Sequence, residues 1–132
     1  MNHLVKILCL AFFVLFGACS LKQYPDPGLS GGNSMKAEVQ ILKLNQDSTA
    51  LVYINKINQK NSDPLTQSLM EGDKVDFLFS FGHDGRTFQD SDGEKYIYPK
   101  LSTEDKLTVT LVVLPKLNSS EPLYKVVWYK KQ

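Results

Sequence analysis

The stretch DKVDFLFSF, residues 73–81, alternates Val75, Phe77, Phe79 and Phe81 with Asp76, Leu78 and Ser80. Successive side chains of a β-strand point to opposite faces, so a period of two collects the valine and the phenylalanines on one side. Apolar positions of an amphipathic helix would instead recur at intervals of three and four. The stretch therefore predicts a half-buried strand with an aromatic core face. Everything else in the body of the chain has to supply the rest of that core.

The same period continues on both sides. In MKAEVQILKL, residues 35–44, Ala37, Val39 and Ile41 oppose Glu38 and Gln40. Asn45–Asp47 reads as a turn and STALVYINKI returns, so residues 36–57 are expected to form a hairpin. Downstream, Leu107, Val109, Leu111 and Val113 alternate with Thr108 and Thr110 until Pro115, which has no N–H for a ladder. In LYKVVWYKK, residues 123–131, Tyr124, Val126 and Trp128 are expected to face one way. Its lysines read as those of an edge strand protected from edge-to-edge pairing, or as a surface that lies on an anionic membrane or a partner. YIYP, residues 96–99, is a further short strand.

Between these runs, NQKNSDPLTQSLMEGD is a polar loop in which Ser62 or Asp63 caps a helical turn that starts at Pro64 and ends before Gly72. GHDGRTFQDSDGEK, residues 82–95, is a long turn-rich excursion. Short connections favour antiparallel pairing, because a parallel crossover needs a dozen residues or more. Five main strands and a short sixth predict a single all-β domain over residues 36–132, either a small antiparallel barrel or a β-sandwich. The helical turn after two strands, followed by LMEGDKVDFLF, is similar to the way small OB-like barrels are written.

The N-terminus follows other rules. MNHLVKILCLAFFVLFGAC has a short charged region with Lys6, an apolar run from Ile7 to Phe16, and small Gly17 and Ala18 before Cys19. The run is about half the roughly 20 residues that span a bilayer, so residues 1–18 read as an export signal rather than a permanent membrane helix. The tetrad Phe16-Gly17-Ala18-Cys19 resembles the bacterial lipobox, with phenylalanine where leucine is commonest. That resemblance implies cleavage before Cys19 and attachment of diacylglycerol to its thiol, normally with acylation of the new amino terminus. Ordinary cleavage after Cys19, with secretion, is the alternative.

The cysteine count bears on that choice. Cys9 leaves with the signal and the body has no cysteine, so a retained Cys19 has no partner within the chain and would be a free thiol unless lipidated. Two or more acyl chains hold a protein on a membrane stably. Residues 19–35, rich in Pro, Gly and Ser, read as a flexible tether that lifts the domain roughly 20–25 Å from the headgroups. Ser20 after the cysteine, in the enteric sorting pattern this resembles, implies the outer membrane of a Gram-negative host.

Composition limits the function classes. Fifteen basic residues balance fourteen acidic ones, and Arg86 is the only arginine. No basic stripe marks a nucleic-acid binder, and that class is set aside. No motif indicates a cofactor. Asp90, Asp92 and Glu94 around Gly93 resemble part of a calcium loop, but an EF-hand register would put Phe88 and Pro99 at ligand positions. A solvated turn explains the three acids as well. His83 and Asp84 beside Arg86 are a candidate acid–base pair without a nucleophile: the body has no cysteine and no serine in a G-x-S-x-G turn. As the only histidine after the signal, His83 also excludes a multi-histidine zinc site. The expectation is a non-enzymatic, lipid-anchored β-domain that serves as an interaction or accessory subunit in the cell envelope, with an envelope protein as partner. The alternative is a small-ligand or calcium-binding module that uses the 82–95 loop.

Overall fold

The computed structural model describes residues 22–29, 31–61 and 63–132. The signal segment and Cys19 lie outside these residues, as does Ser62. Eight strands follow in order: β1 (Lys22–Gln23), β2 (Ser34–Leu44), β3 (Thr49–Lys60), β4 (Lys74–Phe79), β5 (Arg86–Gln89), β6 (Lys95–Tyr98), β7 (Lys106–Leu114) and β8 (Leu123–Lys131). A 3-10 turn, Pro64–Ser68, joins β3 to β4. Asp63 caps it, its carboxylate accepting from the Leu65 N–H at 2.9 Å.

The five long strands close into a barrel in the order β2-β3-β4-β8-β7. The expected small barrel is therefore the observed architecture, in its OB-like connectivity, and the sandwich is not. Its interior is the set of alternate positions read from the sequence. Ala37, Val39 and Ile41 of β2, Val52 and Ile54 of β3, Phe77 and Phe79 of β4, and Leu107, Val109, Leu111 and Val113 of β7 are all buried. Burial of such side chains is worth roughly 1.5–3 kcal/mol each relative to exposure, which makes the barrel interior the main source of stability.

Three expectations change. The barrel is mixed: β4 and β8 pair in parallel, Phe77 opposite Tyr124 and Phe79 opposite Val126. A closed ring of an odd number of strands cannot alternate direction at every seam, so five strands require at least one parallel junction. The parallel seam falls between strands separated by β5, β6 and β7, and the connection length that parallel pairing demands is met. Second, β8 is not an edge strand, since β4 and β7 flank it on both sides.

Third, Trp128 does not share a face with Tyr124 and Val126. Thr110 opposes Trp128 while Leu111 opposes Val126, so Val127 is an extra residue in β8, a β-bulge. The bulge shifts the alternation by one. Trp128 turns to the outer face with Thr110, and Tyr129 turns inward, its ring edge-on to Phe79 at 5.7 Å between centroids.

Outside the barrel, β5 and β6 form an antiparallel hairpin, and β1 adds to β6 in parallel, Lys22 opposite Tyr96 and Gln23 opposite Ile97. Residues 22–29, expected as part of a free tether, are instead docked against the barrel wall. Asp26 accepts from Lys36 Nζ, from the Thr110 hydroxyl at 3.0 Å and from the Gly28 N–H at 2.9 Å. The Trp128 indole N–H donates to the Tyr24 carbonyl at 2.6 Å, and the Gln23 amide donates to the Tyr129 carbonyl at 3.0 Å. This docked segment is a strap over the wall: Trp128 and Thr110 are buried beneath it although both lie on the barrel's outside.

Candidate ligand-binding pocket

Strand β4 ends at Phe79, where Gly82, at φ +73°, closes a turn by donating its N–H to the Phe79 carbonyl. The fourth member of the aromatic face, Phe81, therefore leaves the barrel interior. It stays 37% exposed and stacks on Tyr98 of β6, 4.8 Å away with the rings 20° apart. Phe88 of β5 stacks on the same tyrosine at 5.7 Å. Tyr24 of the strap packs on Phe88 at 5.0 Å and on Tyr96 at 5.2 Å. Aromatic pairs in such geometries contribute about 0.5–1.5 kcal/mol each beyond their area. The cluster joins strap, hairpin and barrel into one wall.

The hairpin is seated by Gly85. At φ +87° it adopts a conformation that side chains rarely take, and a Cβ there would lie 3.0 Å from the Lys100 backbone nitrogen. That close approach brings Arg86 directly to the cluster, with its guanidinium carbon 5.9 Å above the Phe81 ring, a cation–π distance. Among the described residues Arg86 forms none of the ion pairs.

Strap, hairpin and the outer face of β7 and β8 enclose a cavity of about 510 Å³ lined by Tyr24, Pro27, Gly28, Ser34, Phe81, Arg86, Phe88, Tyr98, Thr110, Val112 and Val127. Its volume is that of a small-molecule site. Two of the wall's hydroxyls are already engaged: Thr110 on Asp26, and Ser34 on the Gly31 carbonyl at 3.0 Å. Burial pushes the Asp26 carboxyl up, but hydrogen bonds from Lys36, Gly28 and Thr110 outweigh it and hold the group below the usual carboxylate range. Arg86 is then the cationic group that faces the opening.

Burial raises Tyr98 to about 12, with the neighbouring Tyr24 and Asp26 adding to the shift. Burial raises Tyr129 too, and Tyr98 adds to it; its hydroxyl donates to the Pro99 carbonyl at 2.7 Å. Both folded-state values lie above the unfolded one, near 10. Their stabilising contribution is complete below about pH 10 and is lost as pH rises toward 12. A phenolate absorbance titration should therefore show Tyr98 and Tyr129 ionising together with loss of near-ultraviolet circular dichroism. Ionisation of all six tyrosines near pH 10 in folded protein would contradict this.

The residues singled out in the sequence lie elsewhere. Asp90 turns its carboxylate back on the hairpin tip, accepting from the N–H groups of Asp92 and Glu94 at 2.9 Å each. Glu94 reaches Lys22 at 3.8 Å on the surface. Among the described residues no group of three His, Cys, Asp or Glu side chains converges as a metal would need. His83 donates from Nε2 to the Asn45 carbonyl at 2.7 Å and so pins the β2–β3 turn to the end of β4. Its Nδ1 is 3.9 Å from the exposed Asp84, beyond hydrogen-bond reach. Neither residue lines the aromatic cavity. Of the 82–95 loop, Arg86 and Phe88 are the residues that do.

A second hollow of about 600 Å³ lies on the outer face of β3 and β4, between Asp47, Lys74, Asp76, Lys116 and Glu121. Its charges are of both signs, and Asp76 and Asp47 are occupied by Asn45 and Thr49. Leu117, 93% exposed, stands on the loop beside it. Among the described residues no helix is long and apolar enough to cross a membrane. Compared with known proteins, the chain matches no family model, no curated protein and no solved structure.

Proposed function

We propose that the chain is a membrane-anchored envelope lipoprotein whose barrel is a non-enzymatic binding module, with the aromatic cavity as its ligand site. The cavity carries the reading: it is mostly apolar, of ligand size, and built from three separate parts of the chain. Among the described residues no histidine, cysteine or carboxylate lines it. Anchoring rests on the lipobox-like tetrad ending at Cys19 and on a cysteine-free body.

Docking of residues 22–29 shortens the leash. Only Ser20 and Leu21 separate Cys19 from β1, and three residue steps reach at most about 11 Å when extended. The β1 edge, and the cavity behind it, would sit close to the bilayer rather than 20 Å above it. Replacing Cys19 with serine in the full chain should release the protein from the membrane fraction or stall it as an uncleaved precursor. Unchanged fractionation would overturn the anchor.

A second reading, a protein-binding accessory subunit, is favoured by the projecting Leu117 beside the polar hollow. Loss of a copurifying envelope protein on Leu117→Asp, with the aromatic cavity intact, would select it over the first.

A further inference from the structure

We infer that the aromatic cavity takes a small organic anion: a flat or compact apolar body carrying one carboxylate or a similar acidic group, which Arg86 meets at the rim. The inference rests on the ligand-site reading above and adds the charge and the residue that reads it. Three observations support it.

The first is the distribution of polarity. Phe81, Phe88, Tyr98, Val112 and Val127 supply an apolar wall, and the hydroxyls among the lining side chains of Ser34 and Thr110 are committed to partners within the fold. A neutral polar ligand would lose its water and find little in exchange. The second is the placement of charge. Arg86, the only arginine of the chain, stands over Phe81 at the opening, forms no ion pair among the described residues, and presents a planar fork suited to a carboxylate. The negative charge that borders the lining, Asp26, is matched by Lys36 and so does not repel an incoming acid. The third is rigidity. The arginine follows Gly85, whose approach to the Lys100 backbone fixes the start of β5, and Phe88 packs against both Tyr24 and Tyr98, which also meet each other. The backbone that carries the cation is thus fixed relative to the apolar wall, which lowers the cost of binding a ligand that needs both.

The test uses 2-naphthoate and its uncharged analogue 2-naphthamide as probes. Each is titrated into the full chain in a mild detergent and followed by chemical-shift changes of the aromatic resonances. Arg86→Gln protein in the same detergent carries the same partitioning of probe into micelles, so the comparison isolates the arginine. The expected result is saturable binding of naphthoate with shifts at Phe81, Phe88 and Tyr98. Arg86→Gln should weaken it about tenfold, because a hydrogen bond to a charged group is lost. Naphthamide should bind more weakly and not respond to Arg86→Gln. Equal binding of both probes, indifferent to Arg86→Gln, would overturn the anion and leave the apolar site standing. Failure of both probes to saturate, or shifts confined to the Asp47–Glu121 hollow, would overturn the ligand site itself. Phe88→Ala should weaken both probes alike; if it weakens neither, the cavity is not where they bind.

Discussion

Phe79→Ala is expected to cost about 3–5 kcal/mol of folding stability, the usual range for removing a buried phenylalanine. Three features place this position at the high end. The side chain is buried and edge-on to Tyr129, so truncation leaves a cavity walled by a second ring that cannot collapse far. The residue sits on the parallel seam, where β4 and β8 share only the register pairs Phe77–Tyr124, Leu78–Lys125 and Phe79–Val126. Its N–H donates to the Ser48 carbonyl at 3.0 Å, a bond alanine keeps, so the strand end stays tied to the β2–β3 turn and cannot move in to fill the space. A domain of this size has about 5–15 kcal/mol in all, and each kcal/mol moves the melting temperature by roughly 4–8 °C. Thermal and urea unfolding followed by circular dichroism should therefore show a fall in melting temperature of about 12–40 °C, or no folded protein. Leu117→Ala, on an exposed loop, should change stability by no more than about 0.5 kcal/mol. A loss below about 1.5 kcal/mol for Phe79→Ala would mean that the seam tolerates repacking and that the closed barrel is not held as described.

The parallel seam also shows where sequence reasoning reaches its limit. Period-two alternation identifies the interior positions of β2, β4 and β7 correctly, because each strand has one face inside and one outside. The turn at Asn45 and the cap at Asp63 are legible for local reasons: the Asn45 amide donates to the Thr49 hydroxyl four residues on, and the Asp63 carboxylate accepts from the Leu65 N–H. Strand direction is not local. Antiparallel pairing follows from short connections taken one at a time, while closure of a five-membered ring is a property of the whole set. Had closure been imposed on the count of five, one parallel seam would have followed at once.

Two misreadings at the site have the same origin. The bulge at Val127 has no glycine or proline to announce it, so a simple alternation carries Trp128 to the wrong face. Residues 22–29 have the Pro and Gly of a linker, and composition alone reads them as free. What docks them is tertiary: a carboxylate matched to Lys36 and Thr110, and a carbonyl matched to an indole. The signal that was available is Tyr24 and Asp26 themselves, an aromatic and an acid of the kind a solvated linker does not require. In the 82–95 loop the acids carry the stronger sequence pattern, but Asp90 bonds to its own turn, while Arg86 and Phe88 reach the cavity.

Loosening of the strap is the second large effect, and it should occur without unfolding of the barrel. Tyr24→Ala removes the ring packed on Phe88, Tyr96 and Tyr98, and for a half-buried aromatic the loss is about 1.5–2.5 kcal/mol. What then still holds this peripheral segment is the two-residue pairing of β1 with β6, the Asp26 contacts and the bonds to Trp128 and Tyr129, few enough for it to open locally. Trp128, the only tryptophan, reports the event, because its indole is buried under the strap and bonded to Tyr24. Its emission should shift to the red and become open to iodide quenching while far-ultraviolet circular dichroism stays native. The same change should appear in wild-type protein on acidification. Asp26 has a folded-state value below the unfolded 3.8, so its stabilisation is present above about pH 4 and is lost as pH falls through the folded value. Protonation removes the charge that pairs with Lys36 at Oδ2 and weakens Oδ1 as the acceptor of Thr110 and Gly28. Asp26→Asn should place the strap in its loosened state at neutral pH and flatten the acid dependence of the Trp128 signal. If Trp128 emission in Asp26→Asn matches wild type at neutral pH and still shifts in acid, the strap is not held by this carboxylate.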